Sequence, residues 1–209
     1  GPNLARVRLV ESDAALKRKG RFILGYVGAM NPQDGVDYLL RALYHLVHSM
    51  GRKDFYCVLI GEGDSLHELE SLAGNLGLAD HVWFTGYIPD EELLRYLSTA
   101  DICLDPNPSS PLNDVSTWIK IMEYMALGKP IVTYDLKETR WSAQDAALYI
   151  KPNDELAFAE GVAKLMDRPD LRAQMGEFGR QRVEKELKWD LVGQNLVHAY
   201  NALVGETKT

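Results

Sequence analysis

Residues 113–132 hold the side chains best placed for chemistry. Asn113-Asp114-Val115-Ser116-Thr117 precede an apolar stretch carrying Lys120 and Glu123, and Gly128-Lys129-Pro130 lead into Ile131-Val132. Asn, Asp and Ser cap helix starts through their side-chain oxygens. A helix start presents free N–H groups and a partial positive charge, which suits a phosphate. Lys120, one turn in, adds a full charge, and Glu123 lies a further turn along on a neighbouring face. An ionised carboxylate accepts two hydrogen bonds, so Glu123 can grip the adjacent hydroxyls of a ribose. The unit therefore offers an anion its helix start and a sugar hydroxyl pair a carboxylate one turn deeper. The plainer alternative is a surface helix with a Lys120–Glu123 pair.

Positioning these residues requires a strand, a loop and a helix, and the chain repeats that pattern. Residues 22–27 read as a buried strand and 28–35, with Pro32, as a loop. Residues 36–50 read as a helix with Val36, Leu39, Leu40, Leu43, Leu46 and Val47 on one face. Further strands are expected at 55–60, 82–85, 102–105, 130–134 and 147–150. Helices are expected at 65–76, at 89–99 with Pro89 in the favoured first position, and from the capped segment to about Leu127. Three more follow at 155–166, 169–187 and 189–204. Strands separated by helices pair in parallel. The expected fold is α/β: a doubly wound, Rossmann-like parallel sheet of about six strands with helices on both faces and extra C-terminal helices. Ligands of such sheets bind outside the carboxyl ends of the strands. Loops 28–35, 61–64, 86–90 and 105–117 should meet at that edge. No internal repeat or low-complexity segment is visible.

A chain of 209 residues, 46% hydrophobic and 25% charged, suits one sizeable globular domain. The net charge of −7 argues against nucleic acid as a partner. Any phosphate must be held by local dipoles and a few cations. Cys57 and Cys103 lie in apolar runs and read as buried, reduced thiols, which fits the cytoplasm. No apolar run approaches the ~18 residues that span a bilayer, and no signal-peptide pattern opens the chain. The expectation is a soluble cytoplasmic domain, any peripheral contact with the inner face of a membrane being left to a partner domain. His45 and His48 share a helix face, but two ligands fall short of a metal site, and no Asp-x-Asp pair follows a strand. Neither a metal nor a cofactor is expected. Trp118, Trp141 and Trp189 read as packing residues.

An ordered series of segments resembles one family. It comprises Gly1-Pro2-Asn3-Leu4-Ala5-Arg6-Val7, Tyr26-Val27-Gly28, Gly35-Val36-Asp37-Tyr38-Leu39, residues 58–63, Val82-Trp83-Phe84-Thr85-Gly86-Tyr87, the 113–132 run, residues 151–176 and residues 189–200. Together these resemble the C-terminal donor-binding domain of retaining glycosyltransferases of family four (group 1), which have the two-domain B-type fold. The resemblance implies a post-hinge segment at 1–20, a nucleotide-sugar-binding domain at 21–188, and a C-terminal helix and tail at 189–209. The family's loop and helix carry a Glu, seven residues, then a second Glu that binds the nucleotide ribose; the second falls on Glu123. The first contacts the transferred sugar and falls on Val115, which cannot do that, leaving adjacent Asp114 as the substitute. The family also places an Arg after the first-loop glycine and a Lys before the next, stabilising the leaving diphosphate. Here those positions are Ala29 and Asp34. Removing two charges from such a site costs several kcal/mol unless they are replaced. Lys120, Asn31, Gln33 and backbone N–H groups are the candidate replacements, and Asp34 reads as a helix N-cap. The family's counterpart of Gly86-Tyr87-Ile88 meets the base. Gly61-Glu62-Gly63 reads as a turn.

The resemblance thus implies the donor-binding half of a hexosyltransferase-type enzyme. It would move a sugar from a nucleoside-diphosphate sugar to an acceptor hydroxyl with retention, often in polysaccharide biosynthesis. Gly28, Ala29 and Asn31 would face the diphosphate, together with Lys120 and the amides near Ser116 and Thr117. Asp114 would meet the sugar, Glu123 the ribose, and Tyr87 and Ile88 the base. The acceptor site would belong to an N-terminal domain, so these residues alone would bind donor and transfer little. Rival readings are a nucleotide-sugar epimerase and a non-catalytic nucleotide-sugar-binding or regulatory module, the latter consistent with Val115, Ala29 and Asp34. The weakest is a dinucleotide oxidoreductase, because no Gly-x-Gly-x-x-Gly follows the first strand.

Overall fold

The computed structural model describes residues 2–206. Six strands form one sheet: β1 (Phe22–Val27), β2 (Phe55–Ile60), β3 (Val82–Gly86), β4 (Ile102–Asp105), β5 (Ile131–Tyr134) and β6 (Ala147–Ile150). All named pairs are parallel, in the spatial order β3-β2-β1-β4-β5-β6. The helices are α1 (Ala14–Lys17), α2 (Val36–Tyr44), α3 (Leu66–Asn75), α4 (Asp90–Thr99), α5 (Ile119–Ala126), α6 (Lys137–Ala143), α7 (Glu155–Asp167), α8 (Pro169–Arg182) and α9 (Trp189–Glu206). The expected doubly wound, Rossmann-like sheet with additional C-terminal helices is therefore the fold.

Both faces of the strands are apolar, as a parallel sheet covered on two sides requires. Successive residues alternate between faces. Leu24, Tyr26, Leu59, Leu104 and Tyr134 meet α2 and α7 through Leu39, Leu43, Phe158 and Leu165. Ile23, Val58, Ile60, Cys103 and Ile131 meet α4 and α5 through Leu97, Ile121 and Met125. Leu43 and Phe158 are fully buried, so truncating either to Ala costs about 2–5 kcal/mol. Cys57 and Cys103 are free and buried, and burial pushes both thiols up, Cys103 to about 12. Strand order reverses between β1 and β4, where chain crossings diverge and leave a crevice at the strands' carboxyl ends.

Several elements differ from expectation. Pro89 lies outside α4, extended at φ −61° and ψ 154°. The capping run at 113–117 does not begin α5. Asn113–Val115 form a 3-10 turn, Ser116 and Trp118 are extended, and the α-helix starts at Ile119. The reason is that Asn113 turns inward, donating from Nδ2 to the Gln33 and Pro108 carbonyls. α2 and α8 end in single π-turns at 45–49 and 183–187. α1 and α6, too short to show a period, were not legible in the sequence. Among the described residues no helix is long and apolar enough to cross a membrane.

Candidate functional site

Three loops build the edge of the crevice. The loop after β1 zips onto the loop after β2. Gly28 N–H donates to Ile60 O at 3.1 Å, Met30 N–H to Glu62 O at 3.0 Å, and Ser65 N–H to Met30 O at 2.9 Å. A Cβ on Gly61 would stand 1.9 Å from Gly28 O, and one on Gly63 2.6 Å from Met30 O. The Gly61-Glu62-Gly63 run is therefore a close-approach surface as well as a turn. Asn31 joins the two loops: its Oδ1 accepts from Asp64 N–H at 3.1 Å, and its own N–H donates to Asp34 Oδ2 at 3.3 Å. Asp34 is not the cap of α2, since Gly35 takes that position at φ 70°. Ala29 is exposed, and its carbonyl accepts the Tyr26 hydroxyl at 2.8 Å.

The loop between β4 and α5 is clamped to the first by two buried asparagines. Asn107 and Asn113 both donate to Gln33 O, at 3.2 and 2.9 Å. From the sequence Asn113 read as a helix cap and Asn107 only as part of a turn-rich loop; the available signal for a clamp was an amide side chain inside a proline-rich loop, where buried carbonyls need donors. Val115 is 73% exposed. Asp114 is half-buried and turned within the loop, Oδ2 accepting the Ser109 hydroxyl at 3.2 Å. The Ser116 hydroxyl donates to Leu112 O at 2.7 Å, and the Thr117 hydroxyl to Glu138 Oε2 at 3.2 Å. The first amides of the helix are therefore those of Ile119 and Lys120, one turn later than the sequence suggested.

Lys120 is buried beneath the first loop. Its Nζ lies 3.1 Å from Asp105 Oδ1, with side-chain exposures of 8% and 0%, and over the Tyr26 and Trp118 rings at 4.8 and 5.6 Å from their centroids. A Cβ at Gly28 would lie 3.5 Å from that ammonium. Asp105 is steadied by the Thr133 hydroxyl at 3.0 Å. Burial raises the Asp34 carboxyl, and Lys120 pulls it partly back. The fully buried Tyr124 hydroxyl accepts from Val27 N–H at 2.9 Å and donates to Leu104 O at 3.3 Å, tying together the diverging ends of β1 and β4. A surface Lys120–Glu123 pair is thus excluded.

Glu123 faces the other way. It is half-buried and lines a cavity of about 50 Å³ with Arg6, Asp90, Leu93, Leu94 and Leu97. Burial raises its carboxyl from the ordinary value; Arg6 lowers it and Asp90 raises it. Ile88 packs in the same layer as Leu93 and Leu94, while Tyr87 stands 76% exposed beside it. The structure therefore gathers Gly28, Asp34, Asp105 and Lys120 at the crevice, sets Glu123 and Ile88 on the α4 side, and keeps Asp114 with Ser109. Among the described residues no three His, Cys, Asp or Glu side chains gather around a point that could hold a metal ion.

Comparisons with known proteins identify the family and the fold. The family described as "Glycosyl transferases group 1" matches residues 8–182. The alpha-D-kanosaminyltransferase of Streptomyces kanamyceticus is 28% identical over 185 residues, covering 88% of this chain and 46% of that protein. Sucrose-phosphate synthase from Thermosynechococcus elongatus superposes with a TM-score of 0.84 at 23% identity, over 99% of this chain and 52% of its own. HepE from Anabaena, solved with UDP and glucose, gives 0.82 at 16% identity, over 97% and 55%. At these identities the solved structures establish a shared fold. The chain spans about half the length of these relatives.

Proposed function

The chain belongs to the group 1 glycosyl transferases, and from that membership we propose that it is the donor-binding half of an enzyme of hexosyltransferase type. The enzyme would transfer a sugar from a nucleoside-diphosphate sugar to an acceptor hydroxyl with retention of configuration. The anomeric carbon–oxygen bond breaks, its electron pair leaves with the diphosphate, and the acceptor oxygen bonds to the same face while its proton passes to the departing diphosphate oxygen. Glu123 accepts the two ribose hydroxyls. The Gly28 and Ala29 backbone and the amides of Ile119 and Lys120 face the diphosphate. Lys120 supplies positive potential from beneath Gly28, in place of the cations missing at Ala29 and Asp34. Tyr87 and Ile88 border the base, and Asp114 is the candidate sugar contact. No metal or cofactor enters this reading. Acceptor binding falls to an N-terminal domain, and polysaccharide biosynthesis in the cytoplasm, at or near a membrane face, is the setting that goes with it.

The observation that carries this reading is the half-buried Glu123 carboxylate, set beside apolar α4 residues one helical turn from Lys120. Binding of UDP by a protein of the same fold adds support. The test is a thermal-shift panel of nucleoside diphosphates and their sugars, with Glu123→Ala as control. One ligand series should stabilise the chain, and the variant should lose most of that effect. The absence of polar side chains at Ala29 and Val115 favours one second reading, a nucleotide-sugar-binding module without transfer. It predicts donor binding with no turnover in the full-length protein.

A further inference from the structure

We infer that Arg6, held in place by Asp90, is a positioning residue that keeps Glu123 ionised; the inference rests on the donor-binding reading above. The N-terminal segment is pinned along α4. Val10 N–H donates to Ser98 Oγ at 3.1 Å, and Asp13 N–H donates to Thr99 Oγ1 at 2.7 Å. Val7 is buried in the layer that contains α4 and α5. This anchoring delivers residue 6 to the start of α4, where Arg6 Nε and Nη2 each reach an Asp90 oxygen at 2.9 Å. A bidentate fork fixes the orientation of a guanidinium as well as its distance.

Arg6 and Asp90 wall the same cavity as Glu123, and the rest of its lining is apolar, with Val7, Leu93, Leu94 and Leu97. Loss of hydration against such a lining pushes a carboxylate toward its protonated form. A protonated carboxyl carries a donor where two ribose hydroxyls require acceptors. Arg6 and Asp90 are 62% and 60% exposed, so water screens this cation and it counters that drift in part. The charged and titratable groups bearing on Glu123 come from each packed element. Arg6, from the N-terminal segment, favours the charged form, and Asp90, from α4, opposes it; Tyr87, in the turn after β3, acts on Arg6. Lys120, on the same helix, is committed to Asp105. Among the described residues Arg6 is therefore the cation that bears on Glu123, and Asp90 holds it there.

The experiment uses two readouts on wild type, Arg6→Gln and Arg6→Lys. One is the titration of the Glu123 carboxyl carbon by NMR in the absence of nucleotide. The other is the pH dependence of calorimetric affinity for UDP-glucose and GDP-mannose, whose diphosphates stay ionised throughout the carboxylate range. Arg6→Gln should move both the Glu123 titration and the acid limb of affinity to higher pH, with affinity recovering at the alkaline end. Arg6→Lys should return both toward wild type, and Glu123→Gln should abolish the acid limb. An unmoved titration overturns the inference, as does a moved titration without a moved affinity limb, or a loss of affinity equal at every pH. If wild type binds neither probe at any pH, the donor-binding reading itself falls, and this inference with it.

Discussion

Lys120 and Asp105 form an ion pair inside the protein, Nζ 3.1 Å from Oδ1, directly beneath the loop that follows β1. Two charges taken out of water repay their lost hydration only in good geometry. This pair has one further hydrogen bond, from Thr133 to the other Asp105 oxygen; the Lys120 ammonium otherwise meets the Tyr26 and Trp118 rings, and neither it nor Asp105 Oδ1 gains another hydrogen-bond partner among the described residues. Such an arrangement stabilises poorly but holds a positive group at the crevice.

Breaking the pair from one side strands the other charge. Lys120→Met should destabilise the chain by about 3–5 kcal/mol in urea unfolding. Lys120→Met with Asp105→Asn should recover much of that stability. Both proteins should bind nucleoside diphosphate more weakly than wild type. Recovery of affinity along with stability would separate Lys120 from phosphate binding.

The asparagine clamp makes a second prediction. Asn113→Ala leaves the Pro108 carbonyl without its donor and Gln33 O with Asn107 alone, costing about 1–3 kcal/mol of stability. The loop after β1 keeps only one of its two asparagine ties to the loop before α5. Hydrogen exchange at Met30 and Asp34 should therefore quicken more than at β-strand amides. Equal change throughout the sheet would contradict a local clamp.

Glu123 should weaken the fold it serves. Its carboxyl is raised in the folded state by burial. A group raised on folding contributes stability that is full below its unfolded pKa and is lost as pH rises through the folded pKa. At neutral pH that contribution has gone and the ionised side chain opposes folding. Glu123→Gln should therefore raise the melting temperature at pH 7, with the gain shrinking in acid, while nucleotide affinity falls. A lower melting temperature at pH 7 would mean that Arg6 more than offsets the desolvation.

Much of the fold was legible in the sequence. The strands show because each is a short apolar run bounded by turn residues, and α7 shows through its long periodic face. The start of α5 was not legible because the cap signal of Asn113 is spent on Gln33 O, a partner brought close only by the tertiary fold. Gly61 and Gly63 read as a turn because close approach between two loops leaves no local trace. Of the site, Glu123 and Lys120 were singled out, but the partners that define their electrostatics, Arg6 and Asp105, are distant in sequence from Glu123 or hidden in a strand end.

Val115 offers a test of the transferred-sugar position. It is exposed, so Val115→Glu should change stability by no more than about 0.5 kcal/mol. If this position faces the sugar, the variant should change affinity for the nucleotide sugar relative to the bare diphosphate. An unchanged ratio would remove Val115 from the sugar's surroundings.

The most direct measurement compares the preferred nucleoside diphosphate with its 2′,3′-dideoxy analogue, by calorimetry on wild type and on Glu123→Ala. Hydrogen bonds to a charged group are worth about 1.5–3 kcal/mol, so wild type should favour the ribose form roughly 10–100-fold, and the variant should bind the two about equally. A ribose preference that survives intact in Glu123→Ala would contradict the assignment of Glu123 to the ribose.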